Sequence, residues 1–348
     1  MFRKQLEILT IGDIATDAFI RLDQEHAHAS MNKDKRELCV GFGEKIPFEY
    51  VKVINAAGNA ANAAVSGARL GLRTAILSNV GDDAIGRECI VELRNQKIDT
   101  TLIRTEKFKK TNYHFVLWYG DDRTILVNHA DFDYQLPEVF RKNNGLGLPP
   151  KWIYLSSLAA NAFPYEMKIA DYLESNPDVK LAFQPGTYQI KSGADKLKRL
   201  YSRSEIIIVN VEEAHKILET RIDRIGSSAP QIDIKILLNG LASLGPKLVA
   251  ITDGTRGSYL FDGDHYYHIP IYEDPRPALE RTGCGDAWAS TFVSALVLGL
   301  SPLEALTWAP VNAMSVAQFI GSREGLLTLD QLNWWLDQAP EHYKPKEI

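Results

Sequence analysis

The segment Glu280-Arg281-Thr282-Gly283-Cys284-Gly285-Asp286, running directly into Ala287-Trp288-Ala289-Ser290-Thr291-Phe292-Val293, decides how the chain is read. Two glycines bracket one small residue, an aspartate follows, and an apolar run continues to Leu298 before Gly299 stops it. That pattern predicts a tight loop opening a buried helix. Glycine lets backbone approach a ligand closely, and the first N–H groups of a helix have no internal partner. The loop is therefore a ready anion cradle, reinforced by the positive end of the helix dipole. Asp286 sits at its rim, and a proton acceptor beside an anion hole is what phosphoryl transfer to a hydroxyl requires. An ordinary helix start with a dipole-favoured aspartate fits the same residues, so the rest of the chain has to decide.

Upstream, strands expected at Trp152–Leu155, Lys180–Phe183, Glu205–Val209 and Lys247–Thr252 alternate with helical patterns near Tyr165–Glu174, Asp195–Tyr201, Glu212–Glu219 and Ile232–Leu244. Such alternation predicts a parallel sheet with helices on both faces. Nearer the N-terminus, Leu6–Ile11 reads as an apolar strand closed by Gly12-Asp13, and Lys45–Ile54 as one or two further strands. Ala56–Leu70, dense in alanine, reads as a helix packed very close to something, with Gly71 ending it. Thr74–Val80 reads as a strand and Ala84–Gln96 as a helix. Hairpins are expected around Gly120-Asp121-Asp122-Arg123 and Asp262-Gly263-Asp264, and Asp23–Arg36 reads as a polar, exposed excursion. Downstream, Ser301 and Glu304 form a capping box with Pro302 at the first helical position, for a helix to Ile320 kinked at Pro310. The expectation is one α/β domain over residues 1–348, with β excursions near 18–55 and 100–130.

Composition narrows the function. Lys plus Arg number 39 against 44 Asp plus Glu, a net charge of -5 with no basic stripe, which argues against a nucleic-acid partner. Hydrophobic content of 45% and charged content of 24% suit an ordinary globular core. No apolar run approaches a membrane span, and Met1–Gln5 leads into a strand rather than a signal peptide. Cys39, Cys89 and Cys284 are widely spaced, odd in number and without metal spacing, so a reducing, cytoplasmic setting is expected. The eight histidines are scattered and form no evident ligand set.

Neither Gly-Lys-[Ser/Thr] nor Gly-x-Gly-x-x-Gly occurs, so a nucleotide would have to be held another way. The chain resembles the PfkB/ribokinase family of small-molecule kinases over nearly its full length. That family's C-terminal signature is close to Asp-Thr-x-Gly-Ala-Gly-Asp, against which Glu280 through Asp286 depart at Glu280 and at Cys284. Its Gly-Gly-x-x-x-Asn signature appears as Ala57-Gly58-Asn59-Ala60-Ala61-Asn62, with Ala57 in place of the first glycine. Its substrate-holding aspartate matches Asp17, its Asn-x-x-Glu motif matches Asn210–Glu213, and its Thr-x-Gly-x-x-Gly motif matches Thr252, Gly254 and Gly257.

The resemblance implies a ribokinase-like three-layer α/β/α fold with a β lid. It implies ATP-dependent phosphorylation of a hydroxymethyl group on a sugar, with Asp286 as base and the N–H groups of Gly283, Cys284 and Gly285 on the transferring group. Asp17, Gly58, Asn59 and Asn62 would hold the acceptor. Asn210, Glu213, Thr252, Gly254 and Gly257 would serve the nucleotide, with Glu213 organising Mg²⁺ through water, and Asn312 stands where family members often contact adenine. Each has a plainer alternative: Asn210 as a helix cap, Thr252–Gly257 as a turn, Gly58 and Asn59 as helix packing, Asp17 as a turn cap, Asn312 and the serines Ser156 and Ser157 as ordinary packed or loop residues. In relatives that need a monovalent cation, the signature's first acidic residue and the residue two on help hold it; here these are Glu280 and Thr282, so K⁺ is a candidate. Gln184-Pro185-Gly186-Thr187 stands where many sugar kinases carry an acidic or Asp-x-Asn-x-Arg element, which departs from a fructokinase-like contact set.

In relatives the lids often pair, so a homodimer through the lid is expected. A nucleoside kinase is the main rival, with the lid strand Tyr113-His114-Phe115-Val116-Leu117-Trp118 as a surface for a base. A catalytically silent sugar-binding regulator is disfavoured by the retained Asp286. Finally, a thiol beside helix N–H groups has its thiolate favoured, so Cys284 is expected to be alkylated readily and shielded by ATP.

Overall fold

Short runs of branched and aromatic residues build the strands of the computed structural model, which describes residues 5–23, 25, 29–32, 37–119, 122–137, 148–220 and 233–348. In chain order, β1 (Ile8–Ile11) leads into β2 (Ala15–Leu22), the small pair β3 (Ser30–Asn32) and β4 (Glu37–Cys39), and β5 (Phe48–Ala57). Helix α1 (Asn59–Arg69), β6 (Thr74–Gly81), α2 (Ala84–Asn95) and β7 (Ile103–Glu106) follow, then the hairpin β8 (Asn112–Tyr119) and β9 (Asp122–Asn128). The regular half runs β10 (Trp152–Leu155), α3 (Phe163–Ser175), β11 (Lys180–Phe183), α4 (Thr187–Ser192), α5 (Lys198–Arg203), β12 (Ile206–Asn210), α6 (Val211–Ile217), α7 (Ile234–Ala242) and β13 (Leu248–Thr252). It closes with β14 (Ser258–Phe261), β15 (Tyr266–Ile269), α8 (Cys284–Val297), α9 (Pro302–Ala317), α10 (Leu329–Asp337) and β16 (Lys346–Glu347).

The central sheet has the order β16-β15-β14-β13-β12-β11-β10-β1-β6-β7, parallel from β7 to β13 and antiparallel beyond. Strands β1, β6 and β10 to β13 are buried on both faces, as parallel strands between helical layers must be, while β7 and β16 are exposed at the edges. Leu9, Ile11, Phe183, Ile207 and Ile251 point to one layer, where α3, α5, α6 and α7 supply Ile169, Leu200, Ile217 and Leu238. Ile8, Tyr154, Ile206 and Ala250 point to the other, against Phe292 of α8, Leu306 of α9 and Leu332 of α10. The three-layer α/β/α fold is therefore present. The chain steps outward from β1 in both directions, so ligands are expected at the C-terminal ends of the strands near β1.

A second, four-stranded sheet of order β5-β2-β8-β9 forms the lid. It begins earlier than the sequence suggested, because Ala15 to Asp17 already pair with Asn112 to His114 of β8. Helix α1 begins at Asn59 rather than Ala56, since Gly58 takes φ 106° and Ala56 φ 59°. Ala56, at the root of the lid, is thus a non-glycine residue held in the left-handed region, a conformation that persists only where its surroundings over-determine it. Its N–H donates to Cys89 Sγ at 3.2 Å, its carbonyl accepts from the Arg323 guanidinium at 2.8 Å, and Arg323 also donates to the Asn55 carbonyl.

Strands β10 and β11 match the expected limits, and α9 continues through Pro310 to Ala317. Strand β7 and helices α4 and α10 were not anticipated. The expected turn residues Gly120 and Asp121, part of the Asp23–Arg36 excursion and Ile232 lie outside the described residues.

Candidate active site

The site grows from the start of α8. Gly283 has φ 84°, and a Cβ there would meet Ser322 Cα at 2.5 Å, so only glycine makes this turn. Gly285 is different: a Cβ there would meet nothing within 4 Å. Open space thus lies beside the loop at Gly285, the kind of room an anion cradle needs.

Asp286, in the first turn of α8, is held by three amides from two segments, the start of α1 and the end of β11. Its Oδ1 accepts from Asn59 Nδ2 at 2.9 Å and from Gln184 Nε2 at 3.1 Å, and its Oδ2 accepts from Asn62 Nδ2 at 2.8 Å. These amides are fixed in turn: Ser322 Oγ donates to Asn62 Oδ1 at 3.1 Å, and the buried Tyr154 hydroxyl donates to Gln184 Oε1 at 2.5 Å. Burial pushes the Asp286 carboxyl above the ordinary carboxylate range, the Asn62 and Gln184 bonds pull it back, and the charge of Asp17 pushes it up again. A carboxylate whose partners are all neutral amides keeps its basicity, unlike one clamped by arginine.

Asp17 faces this group from β2. A bulge between Ala15 and Asp17 shifts the pairing with β5, a device that re-aims a side chain. Its Oδ1 lies 3.0 Å from His114 Nδ1 of the neighbouring β8. Beside it, Asp13 is buried at the end of β1 and accepts from the Tyr134 hydroxyl at 2.7 and 2.9 Å, with His129 Nδ1 at 3.7 Å.

The expected nucleotide residues cluster at the adjacent strand ends. Asn210 and Thr252 are register partners at the C-terminal ends of β12 and β13. Asn210 Oδ1 accepts from the Glu213 N–H at 2.9 Å while Glu213 Oε2 accepts from the Asn210 N–H at 2.9 Å, so the helix cap is real. Burial pushes the Glu213 carboxyl up, its bond to Asn210 pulls it down, and the charge of Asp286 pushes it up, which puts the cap and the acidic centre in electrostatic contact. Gly254 and Gly257 bracket the turn after β13, where Arg256 pairs with Asp253 at 2.6 Å.

Two expectations change, and one rival reading loses support. Asn312 is 0% exposed, its amide donates to Thr291 Oγ1 at 2.7 Å and its carbonyl accepts from the Leu327 N–H at 2.9 Å, so it braces two helices and a loop and presents nothing to adenine. Cys284 is partly buried, and its thiol is pushed up to about 12 by burial and by the Glu280 carboxylate; together these outweigh the helix dipole, and the thiolate is disfavoured. Tyr113 and Phe115 point to the outer face of the lid, while Val116 and Trp118 are buried on the inner face, Trp118 under Arg21, so strand β8 offers no open ring for a base. Glu280 is 6% exposed; its Oε1 accepts from Thr282 N–H and hydroxyl at 2.7 and 2.5 Å, its Oε2 has no hydrogen-bond partner, and Arg123 of the lid stands 3.9 Å from Oε1.

Sequence reasoning missed Gln184 and His114 as members of the site. A polar residue ending a fully buried strand marked Gln184. Nothing local marked His114, whose meeting with Asp17 depends on how β2 and β8 pair.

Residues 42–329 match the pfkB family carbohydrate kinase domain. The chain belongs to that family. This pfkB kinase is 27% identical over 324 residues to a nucleoside kinase of Methanothermobacter thermautotrophicus, covering 92% of this chain and 91% of the relative. It superposes on Arabidopsis thaliana ribokinase, complexed with ribose and ATP, with a TM-score of 0.75 at 18% identity, covering 96% and 99% of the two chains. A protein from E. coli assigned as a ribokinase II, in complex with ATP and Mg²⁺, gives 0.72 at 17% identity, covering 96% and 99%. The pfkB kinase is accordingly a phosphotransferase with an alcohol acceptor. No helix among its described residues is long and apolar enough to cross a membrane.

Proposed function

We propose that this chain transfers the γ-phosphoryl group of ATP to a hydroxymethyl group of a sugar or sugar derivative, with Asp286 Oδ2 taking the hydroxyl proton. The hydrogen-bond count at Asp286 carries this reading. A carboxylate oxygen accommodates about two donors. Among the described residues Oδ1 already has two, Asn59 and Gln184, whereas Oδ2 has only Asn62, which leaves Oδ2 one open position. Asp286 there accepts the proton as the hydroxyl attacks, and the raised carboxyl improves the match to that task. The N–H groups of Gly283, Cys284 and Gly285 bind charge on the transferring group in the space Gly285 leaves open. Asp17 orients the acceptor's other hydroxyls, and the lid excludes water.

The nucleotide lies along Asn210, Thr252, Gly254 and Gly257. Mg²⁺ would neutralise charge on the phosphate oxygens. Glu213 fits as its organiser: one carboxylate oxygen is tied to the cap, and the other accepts no hydrogen bond among the described residues. Such a single hard ligand acting through water suits Mg²⁺, which dehydrates reluctantly. Glu280 fits a monovalent cation such as K⁺, because its buried Oε2 has no hydrogen-bond partner among the described residues and Arg123 stands beside Oε1. Replacing K⁺ by a bulky organic cation in the assay, with no change in rate, refutes that assignment.

The sugar reading stands over the nucleoside reading because the lid's inner aromatics are covered. The resemblance to a nucleoside kinase favours the second. Val51, Val53, Phe115 and Leu126 share the lid's outer face and are 49%, 51%, 44% and 51% exposed, an apolar patch that suits a second lid in a homodimer. Three free thiols suit a cytoplasmic setting. The chain works as one unit.

The test is Asp286→Asn, assayed for ATP consumption with D-ribose, D-fructose, fructose 6-phosphate, adenosine and inosine. Asn preserves size and one acceptor oxygen, so the fold and ATP binding persist while turnover falls roughly 10²–10⁴-fold. A folded variant that binds ATP and keeps more than about a tenth of wild-type turnover refutes Asp286 as the essential base. Adenosine or inosine turned over far faster than every sugar selects the nucleoside reading.

A further inference from the structure

We infer that His114 is a positioning residue for acceptor recognition: its imidazole locks one oxygen of Asp17 so that the other faces the acceptor's hydroxyls. This rests on the reading of Asp17 as part of the acceptor site. Asp17 and His114 are register partners on β2 and β8, so both side chains lie on the same face of the lid. Nδ1 of His114 and Oδ1 of Asp17 are 3.0 Å apart, and a carboxylate can only accept, so Nδ1 carries the hydrogen. The other ring nitrogen agrees: Nε2 is buried with no partner among the described residues, and an N–H there would have no acceptor among them.

The ring is flanked by other aromatic rings. It packs against His129 with centroids 5.1 Å apart, and His129 meets Tyr188 edge-on at 5.9 Å. Asp17 therefore has one oxygen occupied and fixed, while Oδ2 accepts no hydrogen bond among the described residues. The neighbouring Asp13 shows the contrast, since the Tyr134 hydroxyl lies within hydrogen-bond distance of both its oxygens, whereas only Oδ1 of Asp17 is engaged among the described residues. Of Asp13 and Asp17, it is Asp17 that keeps an oxygen without a donor among the described residues and is held for a ligand. The bulge beside it supplies the aim and His114 supplies the lock.

The test uses two substitutions of matched polarity. In His114→Asn the amide nitrogen takes the place of Nδ1, whereas in His114→Gln it takes the place of Nε2 and the bond to Asp17 is lost. The acceptor is whichever of the five compounds above turns over fastest. His114→Gln should raise the acceptor KM roughly 10-fold or more, with kcat within about threefold of wild type and the ATP KM unchanged. His114→Asn should stay within about threefold throughout. Equal acceptor KM in the two variants overturns the inference, and so does an ATP KM that rises with the acceptor KM, the signature of general loosening. Nitrogen-15 spectra of the histidine rings decide the contact without any acceptor. His114 should show hydrogen on Nδ1 in the wild type and lose that state in Asp17→Ala, which removes the acceptor, and an unchanged spectrum overturns the lock. If Asp17→Asn leaves the acceptor KM untouched, the acceptor-site reading itself falls, which is a different result from a failure of His114 alone.

Discussion

Replacing Glu166 by glutamine should stabilise the protein at alkaline pH and leave it unchanged in acid. Glu166 is buried in the first turn of α3, and burial pushes its carboxyl up to about 7 from an ordinary 4.5, with the Gln189 side chain pulling weakly the other way. The folded state thus holds a proton that the unfolded state releases between about pH 4.5 and 7, so stability falls as pH rises through that window. At about 1.4 kcal/mol per unit, the difference comes to about 3 kcal/mol above pH 7, and none below pH 4.5 where both states are protonated. The helix dipole at the N-terminus of α3 favours the charged form, so about 3 kcal/mol is a ceiling. Glutamine matches the neutral acid in shape and removes the titration. Urea unfolding of both proteins at pH 5 and pH 8.5 measures it: the gain in unfolding free energy should be near zero at pH 5 and about 2–3 kcal/mol at pH 8.5. Parallel pH profiles refute the reasoning. The substitution bears on the site as well, since Gln189 accepts from the Gly186 N–H at 2.6 Å and donates to the Ser156 carbonyl at 3.0 Å, bracing the loop that carries Gln184.

Three further outcomes follow from the geometry. Gln184→Ala should lower kcat roughly 10-fold by freeing Asp286 Oδ1 and stranding the Tyr154 hydroxyl, with ATP affinity unchanged; steady-state kinetics with both substrates varied checks it. Cys284→Ala should keep near wild-type turnover, and Cys284 in the wild type should alkylate slowly at pH 7.5 with or without nucleotide, as peptide mass spectrometry reports. Phe115→Glu together with Leu126→Lys should convert a homodimer to monomers in analytical ultracentrifugation without lowering the melting temperature, because both side chains lie on the lid's exposed face.

The regular half of the chain was legible because each buried strand is a short apolar run ended by a polar residue, as at Trp152–Leu155 and Lys180–Phe183. The phosphate-side loop was legible because glycine positions advertise backbone demands, and Gly283 proves to have no alternative. The acceptor side was harder. Asp17 reads as a residue after the first strand, and its place inside a lid strand depends on pairing with β8, nearly a hundred residues away. Cys284 misled because its local setting, a helix N-terminus, favours the thiolate, while its distal setting, burial beside Glu280, opposes it more strongly. Asn312 misled for the converse reason: a polar letter on a helix says nothing of whether both ends of its amide are already taken.

The strained root of the lid imposes an order on the protein's synthesis. Ala56 keeps its left-handed backbone with the help of Arg323, which the ribosome adds 267 residues later. At about 5–20 residues per second, Ala56 is synthesised roughly 13–53 seconds before that guanidinium exists. Asp286 likewise arrives 227 residues after Asn59 and 224 after Asn62, so the pocket's two halves meet late. Throughout that interval the apolar faces of the lid lie unanchored beside an unfinished sheet. A nascent chain of this enzyme is therefore exposed where its finished form is most specific, and its capacity to transfer phosphate arises only when the last segment locks the first.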